Sequence, residues 1–137
     1  MNSKELFVRD TTVMKKSDNL FTVEVSENWS IGNTANGGYS MTLAAKAMSE
    51  FLEHKDPLSI SAHYLDRVDF GATELHLTHL SSSKSLSTAR VELIQNNKIK
   101  IIFIGTFTDF SFKNDMNIYE RDVPSFPDYE SCEVIPY

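Results

Sequence analysis

The sequence predicts an α+β domain in which an antiparallel sheet wraps one long central helix. Three observations predict it. One stretch alone, from about Asn36 to about His54, holds apolar residues at helical spacing over several turns. The stretches after it alternate apolar and polar residues as half-buried strands do. Those strands follow one another through short polar turns, so they pair antiparallel and the helix makes no parallel crossover.

The chain has 137 residues, enough for one domain with its own core. Its formal net charge of −6 argues against a nucleic-acid surface. The single cysteine, Cys132, excludes an internal disulfide framework and a cysteine metal cluster. Met1 to Lys16 holds no apolar run of signal-peptide length, and no stretch approaches the ~20 apolar residues of a membrane span. A cytoplasmic location is the expectation.

Residues 3–10 read as a short helical turn capped by Ser3, with Leu6 and Phe7 inward. Val13 and Met14 begin a short strand, and Ser17-Asp18-Asn19 is a turn. Leu20 to Val25 is a strand with Phe21, Val23 and Val25 on its buried face. The long helix takes Asn36 as its N-cap and ends before Pro57, and its many small residues allow close approach to a sheet. Leu58 to Val68, Glu74 to Leu80, Leu86 to Gln95 and Lys98 to Phe110 are the strands that follow. Within them Leu75, Leu77 and His79 share a face, as do Ala89, Val91 and Leu93, and Ile99, Ile101, Phe103 and Phe107. Asn96-Asn97 is the tight turn of a hairpin, because Asn tolerates positive φ. The last strand is also apolar at Ile102 and Ile104, which points to a second covered face and an oligomer interface. From Asn114 to Tyr137 the periodicity stops and three of the four prolines fall. The expected division is a single domain over 1–112 and an extended tail over 113–137.

The turn from Trp29 to Tyr39 carries the candidate chemistry. Its two glycines sit where a loop becomes a helix, and there unpaired N–H groups and the helix dipole can stabilise a negative oxygen. The same glycines also suit a tight turn under a sheet.

The run Trp29-Ser30-Ile31 followed by Asn36-Gly37-Gly38-Tyr39 resembles the entrance to the central helix of hotdog-fold acyl-CoA thioesterases. It is similar in particular to the double-hotdog group typified by acyl-CoA thioesterase II. Asp56 to Leu65 resembles that family's strand after the helix. Ser83 to Val91 resembles its G-x-S-x-S-x-x-x-V strand, with Ser83 where glycine is common. The resemblance spans roughly residues 10–112. Pro124 to Pro136 resembles the connector between two hotdogs, so the sequence looks like the N-terminal half of such a protein.

The resemblance implies a hotdog fold and the binding or hydrolysis of fatty acyl thioesters. A second hotdog is expected beside this one, from a homodimer, a dimer of dimers or another chain. Asn36, Gly37 and Gly38 would form the oxyanion wall for the thioester carbonyl. Tyr39, His63, Ser87 and Thr88 are candidate substrate-binding residues; each also fits an ordinary packed or strand role. Lys84, Arg67 and Arg90 could meet CoA phosphates or simply be surface charge. The family's Asp, Thr and Gln set belongs mainly to the C-terminal hotdog, and its Asp falls near Ser59 here. No carboxylate follows Asn36 on the first turns of the helix; Asp66 and Asp69 lie at the end of the next strand. His76 and His79 point to opposite faces, no metal site is expected, and acyl-CoA would be substrate rather than cofactor. The alternative function is a catalytically silent hotdog that binds acyl groups or supports a partner subunit.

Overall fold

The computed structural model of the chain describes residues 2–111 and 120–133. Helix α2, Gly37–Phe51, lies at its centre. Leu43, Ala44, Ala47 and Met48 are fully buried against the sheet. Asn36 is the N-cap, as expected, and the helix stops at Phe51 rather than near His54.

The first helix, α1, spans Ser3–Asp10, the residues expected, as two turns rather than one, and Asn2 rather than Ser3 caps it. Asn2 Oδ1 accepts from the Glu5 N–H at 2.9 Å, and Glu5 Oε2 accepts from the Asn2 N–H at 3.0 Å. This reciprocal pair satisfies two N–H groups that a serine at position 3 could not reach together. Strand β1, Met14–Lys15, pairs with β2, Leu20–Val25. After β2 come a 3-10 turn, Glu27–Trp29, and a small hairpin of β3, Ser30–Ile31, and β4, Thr34–Ala35.

Four longer strands follow α2: β5, Asp56–Tyr64; β6, Gly71–Ser82; β7, Ser87–Gln95; and β8, Lys98–Thr108. The six-stranded sheet runs β1-β2-β6-β7-β8-β5, with every pair antiparallel. It is the hotdog arrangement, a sheet curled around one helix. The four strands are not a simple meander, however. β6, β7 and β8 are consecutive neighbours, but β5 joins the free side of β8, and β2 takes the free side of β6. β5 is therefore an edge strand.

Alternation sets the buried face. Leu75 lies beside Leu93, Leu77 beside Val91, and Val91 beside Phe103, and all are buried. His79, expected on that face, is exposed where the β6–β7 register shifts between His79 and Ser81. Asn96 and Asn97 have φ of 50° and 58°, as the tight β7–β8 turn requires. A register shift just beyond that turn bends β8, so that Lys100 and Ile101 are both buried and Ile99 only half so. Gly105 is needed because a Cβ there would run into Met48 Sδ and Phe107.

Residues 120–133 are exposed and extended apart from a 3-10 turn, Tyr129–Ser131. The boundary expected near residue 112 and the whole 113–119 stretch lie outside the described residues, as does Pro136.

Candidate active site at the start of the central helix

The chain reaches α2 along a path held at both ends. The Asn36 N–H donates to Trp29 O at 2.8 Å, and the Ala35 N–H donates to Val68 O at 2.9 Å. Thr34 Oγ1 donates to the same Val68 carbonyl at 2.8 Å. The loop between β5 and β6 is thereby tied to the helix entrance.

Asn36 Oδ1 then accepts from the N–H groups of Gly38 at 2.8 Å and Tyr39 at 3.3 Å. Asn36 O accepts the Ser40 N–H at 3.0 Å and the Ser40 hydroxyl at 3.2 Å. Among the described residues, the Gly37 N–H has no acceptor in reach. Of the three amides at the positive end of the helix, Gly37 alone is thus unpaired among the described residues.

The Tyr64 ring lies over Gly37. Its hydroxyl donates to Gly37 O at 3.1 Å, and a Cβ at Gly37 would stand 3.0 Å from that oxygen. A side chain here would push the ring aside. Alternation along β5 puts Tyr64 on the face of Ile60 and Ala62, but its contact with Gly37 depends on how α2 crosses β5, which no local pattern reports.

Thr34, Gly37, Ser40, Tyr64, Asp66 and Arg67 border a cleft of about 300 Å³ at this helix end. Asp66 is the carboxylate that borders this cleft, and it is already engaged. Lys98 Nζ donates to Asp66 Oδ2 at 2.8 Å, Lys100 Nζ at 3.2 Å, and the Arg67 N–H to Oδ1 at 2.9 Å. The Lys98 ammonium first, then Lys100 and the Arg67 amide, hold its carboxyl far below the usual carboxylate range. Such a group keeps its charge and is a weak proton acceptor.

The other candidates do not converge on this cleft. Tyr39 is 4% exposed; its hydroxyl donates to Asp10 O at 2.7 Å and accepts the Ser26 N–H at 3.1 Å. Burial first of all raises its phenol pKa. Ser87 is fully buried beyond the other end of α2, where its hydroxyl meets His54 Nδ1 at 2.8 Å. A 15-residue helix is about 22 Å long, so Ser87 and Gly37 are at opposite ends of the domain. Thr88 faces the side of the sheet away from α2, bonded to Thr106 Oγ1 at 3.1 Å. His63 is on that side too, since its neighbour Ala62 packs on the core. Lys84, Arg67 and Arg90 are not gathered into one patch either; Arg67 alone borders the cleft, and Arg90 pairs with Glu92. Among the described residues no group of three or more His, Cys, Asp or Glu is placed to hold a metal ion.

The comparisons with known proteins bear on the same region. Residues 25–109, more than half of the chain, match the family described as the acyl-CoA thioesterase N-terminal domain. The chain belongs to that family. Three solved structures share its fold. One, from Thermobifida fusca YX and provisionally described as a thioesterase II, has a TM-score of 0.81 at 22% identity, covering 92% of this chain and 47% of its own. The tesB protein of Mycobacterium avium subs paratuberculosis has a TM-score of 0.80 at 19% identity, covering 94% and 50%. A point mutant of the phenylacetic acid degradation protein PaaI from Thermus thermophilus has a TM-score of 0.62 at 24% identity, covering 72% and 92%. The chain spans about half the length of the first two. No curated protein matches it.

Proposed function

We propose that this domain binds acyl thioesters of coenzyme A at the start of α2 and takes part in their hydrolysis. The observation that carries the reading is the open Gly37 amide at the mouth of a cleft between the helix start and the end of β5, in a chain of the acyl-CoA thioesterase N-terminal family. The thioester oxygen would accept from the Gly37 N–H, with the helix dipole adding to its stabilisation as charge develops. Asn36 orients this turn through its own bonds to Gly38 and Tyr39.

A second hotdog completes the site in this reading. Among the described residues the β5 edge is unpaired, and Leu58 and Tyr64 on it are more than half exposed. A strand laid along β5 would extend the sheet and roof the strip of Met41, Ile60 and Ala62, giving an acyl chain an apolar channel. The second hotdog would come from another copy of the chain or another polypeptide, with residues 113–137 acting as the connector or tail outside the 1–112 domain. No helix among the described residues is long and apolar enough to cross a membrane, and the working location proposed is the cytoplasm.

One observation favours the rival reading of a silent, acyl-binding or structural subunit: the carboxylate at the cleft, Asp66, is held by two lysines. The base would then have to come from the second hotdog. Purified protein incubated with short, medium and long acyl-CoAs decides between them. Release of free thiol above buffer supports hydrolysis. Saturable binding without thiol release supports the silent subunit. The absence of both would remove the acyl-thioester reading altogether.

A further inference from the structure

We propose that Asp10 is the positioning residue for the start of α2, so that helix α1 is a working part of the acyl-thioester site on which the preceding reading rests. Helix α1 precedes the family-matched segment, which begins at residue 25. Its last residue, Asp10, is nevertheless 7% exposed and faces into the turn that leads to α2.

The Asp10 carboxylate collects donors from both sides. Arg9 Nε donates to Oδ1 at 2.7 Å, Asn28 Nδ2 to Oδ2 at 2.9 Å, and Trp29 Nε1 to Oδ2 at 3.1 Å. From there two routes reach the first turn of α2. Along one, the Trp29 carbonyl receives the Asn36 N–H, and Asn36 is the cap that occupies the Gly38 and Tyr39 amides and leaves Gly37 open. Along the other, Asp10 O receives the Tyr39 hydroxyl, which in turn takes the Ser26 N–H. The Trp29 ring is clamped as well: Phe7 of α1 meets it edge-on at 4.9 Å, and Tyr39 lies 6.3 Å away. A neutral amide at position 10 must either turn its NH₂ toward Asn28 and Trp29, which share Oδ2, and leave both donors unpaired, or face its NH₂ to the Arg9 guanidinium, donor against donor where a charge-assisted bond stood. The turn would loosen at Trp29 and pass that freedom to Asn36.

Backbone amide exchange by NMR on the full chain tests this, comparing wild type, Asp10→Asn and the exposed-surface control Asp18→Asn. In Asp10→Asn the Asn36 and Gly38 amides should exchange roughly tenfold faster, the weight of one charge-assisted hydrogen bond, while Leu43 to Met48 keep their protection. Trp29, the sole tryptophan, should shift its emission to longer wavelength. Where the wild type hydrolyses acyl-CoA, kcat should fall about tenfold with KM changed less than about twofold, because an orientation is lost rather than a contact surface. The control should match wild type throughout. Unchanged exchange at Asn36 and Gly38 overturns the proposal. So does equal acceleration across α2 and β6 to β8, which is general destabilisation, and so does an unchanged kcat beside loosened amides. A wild type that hydrolyses nothing counts against the thioesterase reading alone, and the exchange pattern still decides the role of Asp10. If Asp10→Asn does not fold, Trp29→Phe, which removes the indole donor, is read by the same amides.

Discussion

Asn36 has one side-chain oxygen and two backbone donors competing for it. That choice leaves the first glycine of the helix open and the second occupied. Replacing Asn36 by Ala should cost about 1 kcal/mol of stability in a denaturant titration, the usual value of an N-cap. It should also free the Gly38 amide, so a gain in affinity for an acyl-CoA would show that Asn36 shields the site as well as shaping it. Gly105→Ala should cost about 1–3 kcal/mol, because Met48 and Phe107 are fully buried and have little room to yield. The Asp10 carboxyl gives a pH signature. Burial pushes it up, but hydrogen bonds from Asn28, Arg9, Ser26 and Trp29 outweigh burial and lower it from 3.8 to about 2. A carboxyl depressed in the folded state adds stability that is full above its unfolded value. That share is lost as pH falls from near 4 through about 2. Urea titrations of wild type and Asp10→Asn between pH 5 and pH 2 should therefore converge toward the acid end; parallel curves would contradict the assignment.

At the scale of elements, periodicity carried most of the fold. The spacing of Ala44, Met48 and their neighbours marked α2, and the alternation of Ala89, Val91 and Leu93 marked β7. What periodicity could not supply was pairing between distant strands. β5 looks like a partner for β6 in sequence, yet it lies across the sheet beside β8, and no local pattern distinguishes these edges. The Lys100 burial was hidden for a similar reason, since the bulge comes from the register beyond the Asn96-Asn97 turn. The candidate site was legible at its helix entrance and little further. Asp10 finds its donors 18 and 19 residues along the chain, and Tyr64 meets Gly37 across 27. The exposed β5 edge supplies the prediction at this scale. Leu58→Lys puts a charge on this edge at a side chain that is more than half exposed, which should reduce any dimer to monomer in sedimentation velocity while far-UV dichroism stays unchanged. A dimer that persists would place the contact elsewhere.

For the whole molecule, the net charge of −6 and the locally basic corner of Arg67, Lys98 and Lys100 pull in different directions. Two carboxylates, Asp66 and Asp69, already engage those cations, which leaves the corner only slightly positive. Anionic acyl-CoA should therefore bind with a weak salt dependence. Titrations at about 50 and about 300 mM salt should differ by less than about tenfold, given how strongly exposed charges are screened. A steep dependence would mean that the phosphates meet cations on a second subunit.

The strand order also has a consequence in time. During synthesis α2 is complete once Phe51 has emerged, but the four strands β5 to β8 that pack on it are drawn from Asp56 to Thr108. Its apolar face must wait for the β7–β8 hairpin, whose two-residue connection is the shortest closure in the sheet. β5 can dock only after β8 exists to receive it. The expected order is hairpin first, helix against it second, and the two outer strands last. In stopped-flow refolding, Val91→Ala should slow folding, whereas Ile60→Ala should mainly speed unfolding. A nascent chain halted before Ser87 would hold a finished helix without the hairpin it is to lie against.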